Sequence, residues 1–268
     1  MALDFDKFIV DCVDRVVGIS KSTGECDFIL DEIKDATIEN GEDIVYLTGK
    51  NGTRIGALSR NKTSKFSCNN GFFVGGAMAT QIGDTPTIAS SSSKLTVPNY
   101  EIIDVPAGAT TVVLEQIPVG ITGNEIPFIY KANSDGTQGE KYAIASTASA
   151  TEFSLVPATK TITLPTGSFA SAGQVIAIYD YETEVGKKYV NSGDKFSKTE
   201  KLIIDMTLRD VCDNSAMYHG KMVFQNAKVD GSFTISVQNE PQAHAFSAEA
   251  MSNVCSTGKE FWSFTIVE

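Results

Sequence analysis

The chain has 268 residues, 42% hydrophobic and 21% charged, enough to bury one large β domain or two smaller ones. Its net charge of −11 excludes a grip on nucleic acid through phosphates, which rests on Lys and Arg, although DNA can still pass beside such a surface. No run of about 18 apolar residues occurs, so no membrane-spanning helix is expected.

The opening MALDFDKFIVDC carries acids where a secretory signal carries bases, and its apolar run is interrupted. Residues 5 to 17 place Phe5, Phe8, Ile9, Cys12, Val13, Val16 and Val17 at helical spacing, with Asp4 or Asp6 as a cap. Their β-branched character favours a strand instead. A short helix or an ordered arm is expected here.

VVGISKSTGECDFIL reads as a hairpin around Ser22-Thr23-Gly24, and DIVYLTGKNGTRIGALSR as another around Asn51-Gly52. The second is the stronger signal, because a type I′ turn needs positive φ at both central residues. NNGFFVGGAMATQIGD breaks the β pattern. Val74, Ala77, Met78 and Ile82 share a helical face, Asn70 is a candidate cap, and Gly83 a stop, so one helix is expected.

Composition shifts after Asp84. TPTIASSSSKLTVPN reads as a polar connector in which Pro86 and Pro98 exclude a central strand. TTVVLEQI, EIPFIYKA, KYAIAS, TEFSLVP, KTITLP and QVIAIYDYETEV then read as short strands separated by glycine turns. The expected division is a discontinuous core, 1–85 with 186–268, and a β-rich region 86–185 that is either an inserted Ig-like subdomain or part of the same barrel. KLIIDMTLRDVC, KMVFQNAKVDGSFTISV and KEFWSFTIVE supply the remaining strands. In FTISV, Phe233, Ile235 and Val237 alternate with Ser232, Thr234 and Ser236, one set for a core and the other for a polar wall or seam.

Catalytic chemistry finds little support. The two histidines, His219 and His244, lack partner residues and read as polar side chains at a strand edge or a subunit contact. No GxSxG, HExxH or Walker A sequence occurs. Ser91-x-x-Lys94 sits in the serine-rich connector without the companion motifs. The sequon Asn61-Lys62-Thr63 matters only in a secreted protein. Cys12, Cys26, Cys68, Cys212 and Cys255 are odd in number and scattered without CxxC, which argues for free thiols in a reducing compartment. Cys212, Asp213 and His219 lack the close spacing of a metal site. No enzyme activity and no cofactor are expected. Asp180, Glu182 and Glu184 alternate with Tyr179, Tyr181 and Thr183, so a strand would align three carboxylates on one face. That face is either a solvated surface or a wall that DNA passes without binding.

Two segments carry a resemblance: LTGKNGTRIGALSRNKTSKFSCNNGFFVGGAMATQIG, a hairpin, a basic turn and a small-residue helix; and HGKMVFQNAKVDGSFTISVQNEPQAHAFSAEAM, strands joined by an Asp-Gly and a Pro turn. Over residues 15–85 and 185–268 the chain resembles the tail tube proteins (major tail proteins) of tailed bacteriophages and phage-tail-like particles. The resemblance implies two packed antiparallel sheets, a sandwich or barrel, with one flanking helix. It implies rings, typically hexameric, that stack into a hollow tube through which DNA passes as non-specific cargo. Other tail proteins (sheath or terminator, baseplate, tape measure) would be partners, with assembly in the bacterial host cytoplasm and no membrane. Asp180, Glu182 and Glu184, then Asp205 and Glu249, are the candidates for the lumen. Phe5, Phe8 and Ile9, with Lys50, Asn51, Gly52 and Arg54, are the candidates for stacking, and Phe72, Phe73 and Met78 for the helix seam. Each could instead serve its own core or an ordinary solvated surface. Two alternatives are a carbohydrate-binding or adhesin-like β-sandwich, of a different class, and a capsid decoration or neck-ring protein of the same particles.

Overall fold

The computed structural model describes residues 7–211, 216–235, 243–252 and 259–267. The chain is mainly β, with one helix and packed antiparallel sheets, one of them nearly barrel-shaped. In chain order the elements begin with β1 (Phe8–Ser20), β2 (Cys26–Leu30), β3 (Ile33–Thr48), β4 (Arg54–Asn70), α1 (Gly75–Ile82) and β5 (Thr87–Ile88). There follow β6 (Leu95–Val105), β7 (Thr111–Val113), β8 (Pro118–Val119), β9 (Phe128–Ala132), β10 (Gln138–Ile144), β11 (Glu152–Val156), β12 (Thr161–Thr163) and β13 (Gly173–Thr183). The last are β14 (Lys187–Lys188), β15 (Thr199–Asp210), β16 (Met217–Val229), β17 (His244–Ala250) and β18 (Ser263–Val267). They form two compact units, unit 1 of Met1–Pro86 with Tyr189–Glu268, and unit 2 of Thr87–Lys188.

In unit 1 one sheet runs β2-β1-β15-β16-β17-β4-β3, with β18 on the first half of β16. β15 shows why it folds this way. Glu200, Leu202, Ile204, Met206 and Leu208 are buried, while the residues between them face outward. The inward residues meet Val16, Phe28, Leu30, Phe66, Phe224 and Phe246 in one apolar core.

β1 corrects the expectation of a helix or arm at its described residues; Phe5 lies outside them. Residues 8–20 pair with 200–210, and the register shifts between Val10 and Cys12 and again between Val13 and Arg15. Each irregularity adds a residue to the strand. Phe8, Val13 and Val16 therefore all pack on the core although their spacing is not two. That irregular spacing is what imitates a helical period.

Helix α1 ends on Gly83 in the left-handed conformation, as its sequence predicts. Its start differs. The N-cap position is Val74, which gives no side-chain cap, and Asn70 closes β4 instead. The Asn70 amide accepts from the Glu32 N–H at 3.1 Å and donates to the Phe72 carbonyl at 2.8 Å. The Val74 N–H is met by His244 Nδ1 at 3.4 Å. His244 is fully buried on β17, stacks on Phe73 at 4.5 Å and places Nε2 2.7 Å from Gln81 Oε1. It is thus not an edge residue but a bolt between helix and sheet, with Nε2 protonated as the donor and Nδ1 as the acceptor. Burial lowers its pKa.

FTISV forms no strand over its described residues, 233–235, while Ser236 and Val237 lie outside them. β18 and β17 already occupy the two halves of β16. Phe233 lies edge-on to His244 at 6.1 Å, and Ile235 is exposed.

In unit 2 the sheet runs β6-β13-β9-β10-β11-β12-β7. β6 lies within and beyond the expected connector. It carries Pro98 as an edge strand, a sheet position that tolerates a missing N–H. Val105, Ile129, Tyr142, Phe153, Ile162 and Val175 fill a separate core. The Tyr179 hydroxyl is held by Asn99, Glu101 and the Gln116 N–H, which ties the 114–116 turn to this sheet.

Two outcomes test this packing. A Cβ on Gly76 would lie 2.1 Å from the backbone oxygen of Asp27, which cannot swing aside. Gly76→Ala should cost about 2–4 kcal/mol in denaturant unfolding, despite alanine's better helix propensity. Glu200 is 1% exposed, with no hydrogen-bond partner at either carboxyl oxygen. Burial first, and then the Asp27 carboxylate, push its pKa up to about 7. The folded chain therefore holds a proton that the unfolded chain releases. Relative to Glu200→Gln, the wild type should lose stability as pH rises from about 4.5 to about 7, with parallel profiles outside that window. His244 acts in the opposite sense, its contribution falling away as pH drops below 6.5.

A candidate assembly surface

β17 pairs with β4 only from Lys65 to Asn70. Beyond that point β3 and β4 continue alone, paired from Asn40↔Ser64 to Thr48↔Arg54. The result is a two-stranded ribbon whose arms, at about 3.3 Å per residue, project roughly 27 Å. No residue from Glu39 to Thr63 is buried. Ile44, Val45, Tyr46, Leu47, Ile55 and Leu58 are 43%, 46%, 42%, 51%, 70% and 46% exposed. Val45 pairs with Leu58 on one face, and Tyr46 with Ala57 on the other. Both faces are thus apolar. An isolated ribbon of this kind is marginal in water, and an uncovered apolar patch marks a contact site.

The tip is a three-residue loop, Lys50-Asn51-Gly52, with Gly49 and Thr53 bonded across it at 2.7 Å. Asn51 and Gly52 both have positive φ, 70° and 76°, as the sequence requires, although the loop is one residue longer than a type I′ turn. Lys50 is exposed, whereas the Arg54 guanidinium lies 3.9 Å over the Tyr46 ring of its own ribbon.

Among the strand margins without a partner in the described residues, those of β1 and β3 are long. β2 covers β1 only from Val16 to Ile19, so Phe8–Arg15 has one free edge. β3 lies at the end of the sheet order with a free edge of its own. Such edges template pairing with another chain. Ile9 and Val10 on β1 are about half exposed, at 49% and 52%. Phe8 packs instead on Phe264 at 6.0 Å. Near the helix, Phe72 is exposed, Phe73 is stacked on His244, and Met78 is half-buried.

The carboxylates fall in different settings. Asp205 lies opposite Arg15 on β1 and binds Lys221 at 2.8 Å. Glu249 lies opposite Lys65 on β4 and Lys228 on β16, in a cross-strand row that starts with Glu39. This face of unit 1 is therefore charge-balanced rather than acidic. Asp180 and Glu182 are exposed on β13 of unit 2, and Glu184, just past its end, binds Lys94 at 3.2 Å. The same face of β13 bears the exposed Ile178, so it is not a continuous wall of carboxylates. Sequence alternation located the charges but not the cations and apolar groups brought beside them by neighbouring strands. The ribbon's apolar residues were visible within the hairpin, but nothing in the sequence marked them as lacking a second layer.

Catalytic and metal chemistry stay without a centre among the described residues. His219 is exposed, Lys94 binds Glu184 rather than Ser91, and no group of three or more His, Cys, Asp or Glu could hold a metal. Cys212 and Asp213 lie outside those residues. Cys12, Cys26 and Cys68 are free thiols, and burial pushes Cys68 up to about 12. No described helix is long and apolar enough to cross a membrane.

A search of curated proteins finds no match to the chain. A family model described as the YomU/Tube protein family matches residues 7–261. A projecting apolar ribbon and free strand margins suit a structural subunit, and the chain belongs to this family of phage tail tube proteins.

Proposed function

We propose that copies of this chain join into rings that stack into the hollow tail tube, through which DNA passes. The observation that carries the reading is the ribbon of β3 and β4, apolar on both faces and left exposed by the described residues beyond its base. A neighbouring subunit supplies the missing layer. The free edges of β1 and β3 suit strand pairing between subunits of a ring, six in the usual tail tube arrangement. Head-to-tail contacts that do not close along the axis extend a ring into a tube. A net charge of −11 lets phosphates slide rather than adhere. The work is mechanical, with no turnover and no cofactor. Its partners are further copies and the other tail components, with assembly in the host cytoplasm. Unit 2 fits an inserted subdomain, because its core is separate and its chain leaves and rejoins unit 1.

Negative-stain microscopy of the purified chain should show long hollow rods of uniform width. Leu47→Asp with Leu58→Asp places two charges on the ribbon without touching either core. The double variant should keep its circular dichroism and remain monomeric, with no rods. Rods that survive this change would remove the ribbon from the contact. A wild type that stays monomeric at high concentration would remove the tube reading itself.

A further inference from the structure

Unit 2 holds a cleft of about 570 Å³, within the ~300–1,000 Å³ span of small-molecule sites. Three connections wall it: residues 108–110 after β6, 146–148 after β10, and 164–170 after β12. Ser154 of β11 and Thr163 of β12, a cross-strand pair, line it from the sheet. Their neighbour Ile162 turns to the other side and joins the core of the unit. Backbone bonds pin the walls together. The Gly108 N–H donates to the Phe169 carbonyl, Leu164 to Thr110 and Thr166 to Ser149, each at 2.8 Å. Gly108 and Gly167 hold tight bends at φ 74° and 81°. The cleft is therefore preformed.

Its chemistry selects the ligand. No lining residue is charged, in a chain that is 21% charged. An ion placed there would lose water without gaining a counter-charge. Every polar side chain of the lining is a hydroxyl, from Thr110, Ser146, Thr147, Ser154, Thr163 and Thr166. None of the six hydroxyls is bonded to another described residue. A hydroxyl rotates freely, donates once and accepts twice. Six of them around one space match a ligand whose own polar groups are hydroxyls. Buried Leu164, Pro165 and Phe169 lie among them and suit the C–H faces that a sugar ring carries between its hydroxyls. We infer that this cleft binds a short neutral saccharide. The site lies wholly within unit 2 and does not rest on the tube reading.

The test titrates the full-length chain by calorimetry with lactose, maltose, cellobiose and chitobiose, and with a sulfated heparin disaccharide as the charged counterpart. At least one neutral sugar should bind with a Kd of about 1 mM or below, and the sulfated one at least about tenfold more weakly. Hydrogen exchange with the bound sugar should slow in peptides that cover 106–110, 145–154 and 163–170. Ser154→Ala with Thr163→Val removes two hydroxyls at nearly constant size. It should raise the Kd about tenfold while circular dichroism stays unchanged. No binding of any of the four sugars overturns the inference, as does equal binding of the sulfated disaccharide. Protection confined to other peptides, or an unchanged Kd in the double variant, also overturns it. Rods without sugar binding overturn this inference alone, and sugar binding without rods leaves it standing while the tube reading fails.

Discussion

A β-ribbon needs a second layer, and the long ribbon of β3 and β4 has none among the described residues. Near its base it is part of a packed sheet, because β17 pairs with Lys65–Asn70 and Phe66 is buried in the core. Past Ser64 the hydrogen bonds continue while the packing stops. Backbone pairing in water contributes little net free energy, since each bond replaces one to solvent. The apolar side chains on both faces are what would stabilise the ribbon, and only if something covers them. That constraint makes the isolated subunit incomplete and links the fold to a structural role.

The rest of unit 1 holds the ribbon's base firmly. Helix α1 packs so closely on β2 that Gly76 leaves no room for a Cβ, and His244 bolts the helix start to β17, the strand that pairs with β4. A rigid base is what a projecting arm requires if its far end is to meet a neighbour in a fixed register. Ionisation of buried Glu200, beside the partly exposed Asp27 carboxylate, destabilises this fold. Its effect and that of His244 run in opposite directions with pH.

Much of the element list was legible. The Asn51-Gly52 turn, the helix stop at Gly83 and most strands of unit 2 follow from local rules, since positive φ and side-chain alternation depend on a few adjacent residues. The failures were also local readings. β1 imitates a helix because register irregularities place Phe8, Val13 and Val16 against one core. FTISV alternates like a strand, yet its described residues, 233–235, form none, and β16 is paired by β18 and β17 instead. Asn70 has the chemistry of a helix cap but was already committed to Glu32 and Phe72.

By itself the sequence determined a β-rich, acidic chain with one helix and little catalytic equipment, because composition and short-range periodicity carry that information. Tertiary structure decided the rest. It placed the lysines beside Asp205 and Glu249, made His244 a core residue, and left the ribbon exposed among the described residues. The reason is physical. A residue's role in contact depends on which strands lie beside it, and that pairing joins positions up to some two hundred residues apart, as in Phe8 with Asp210.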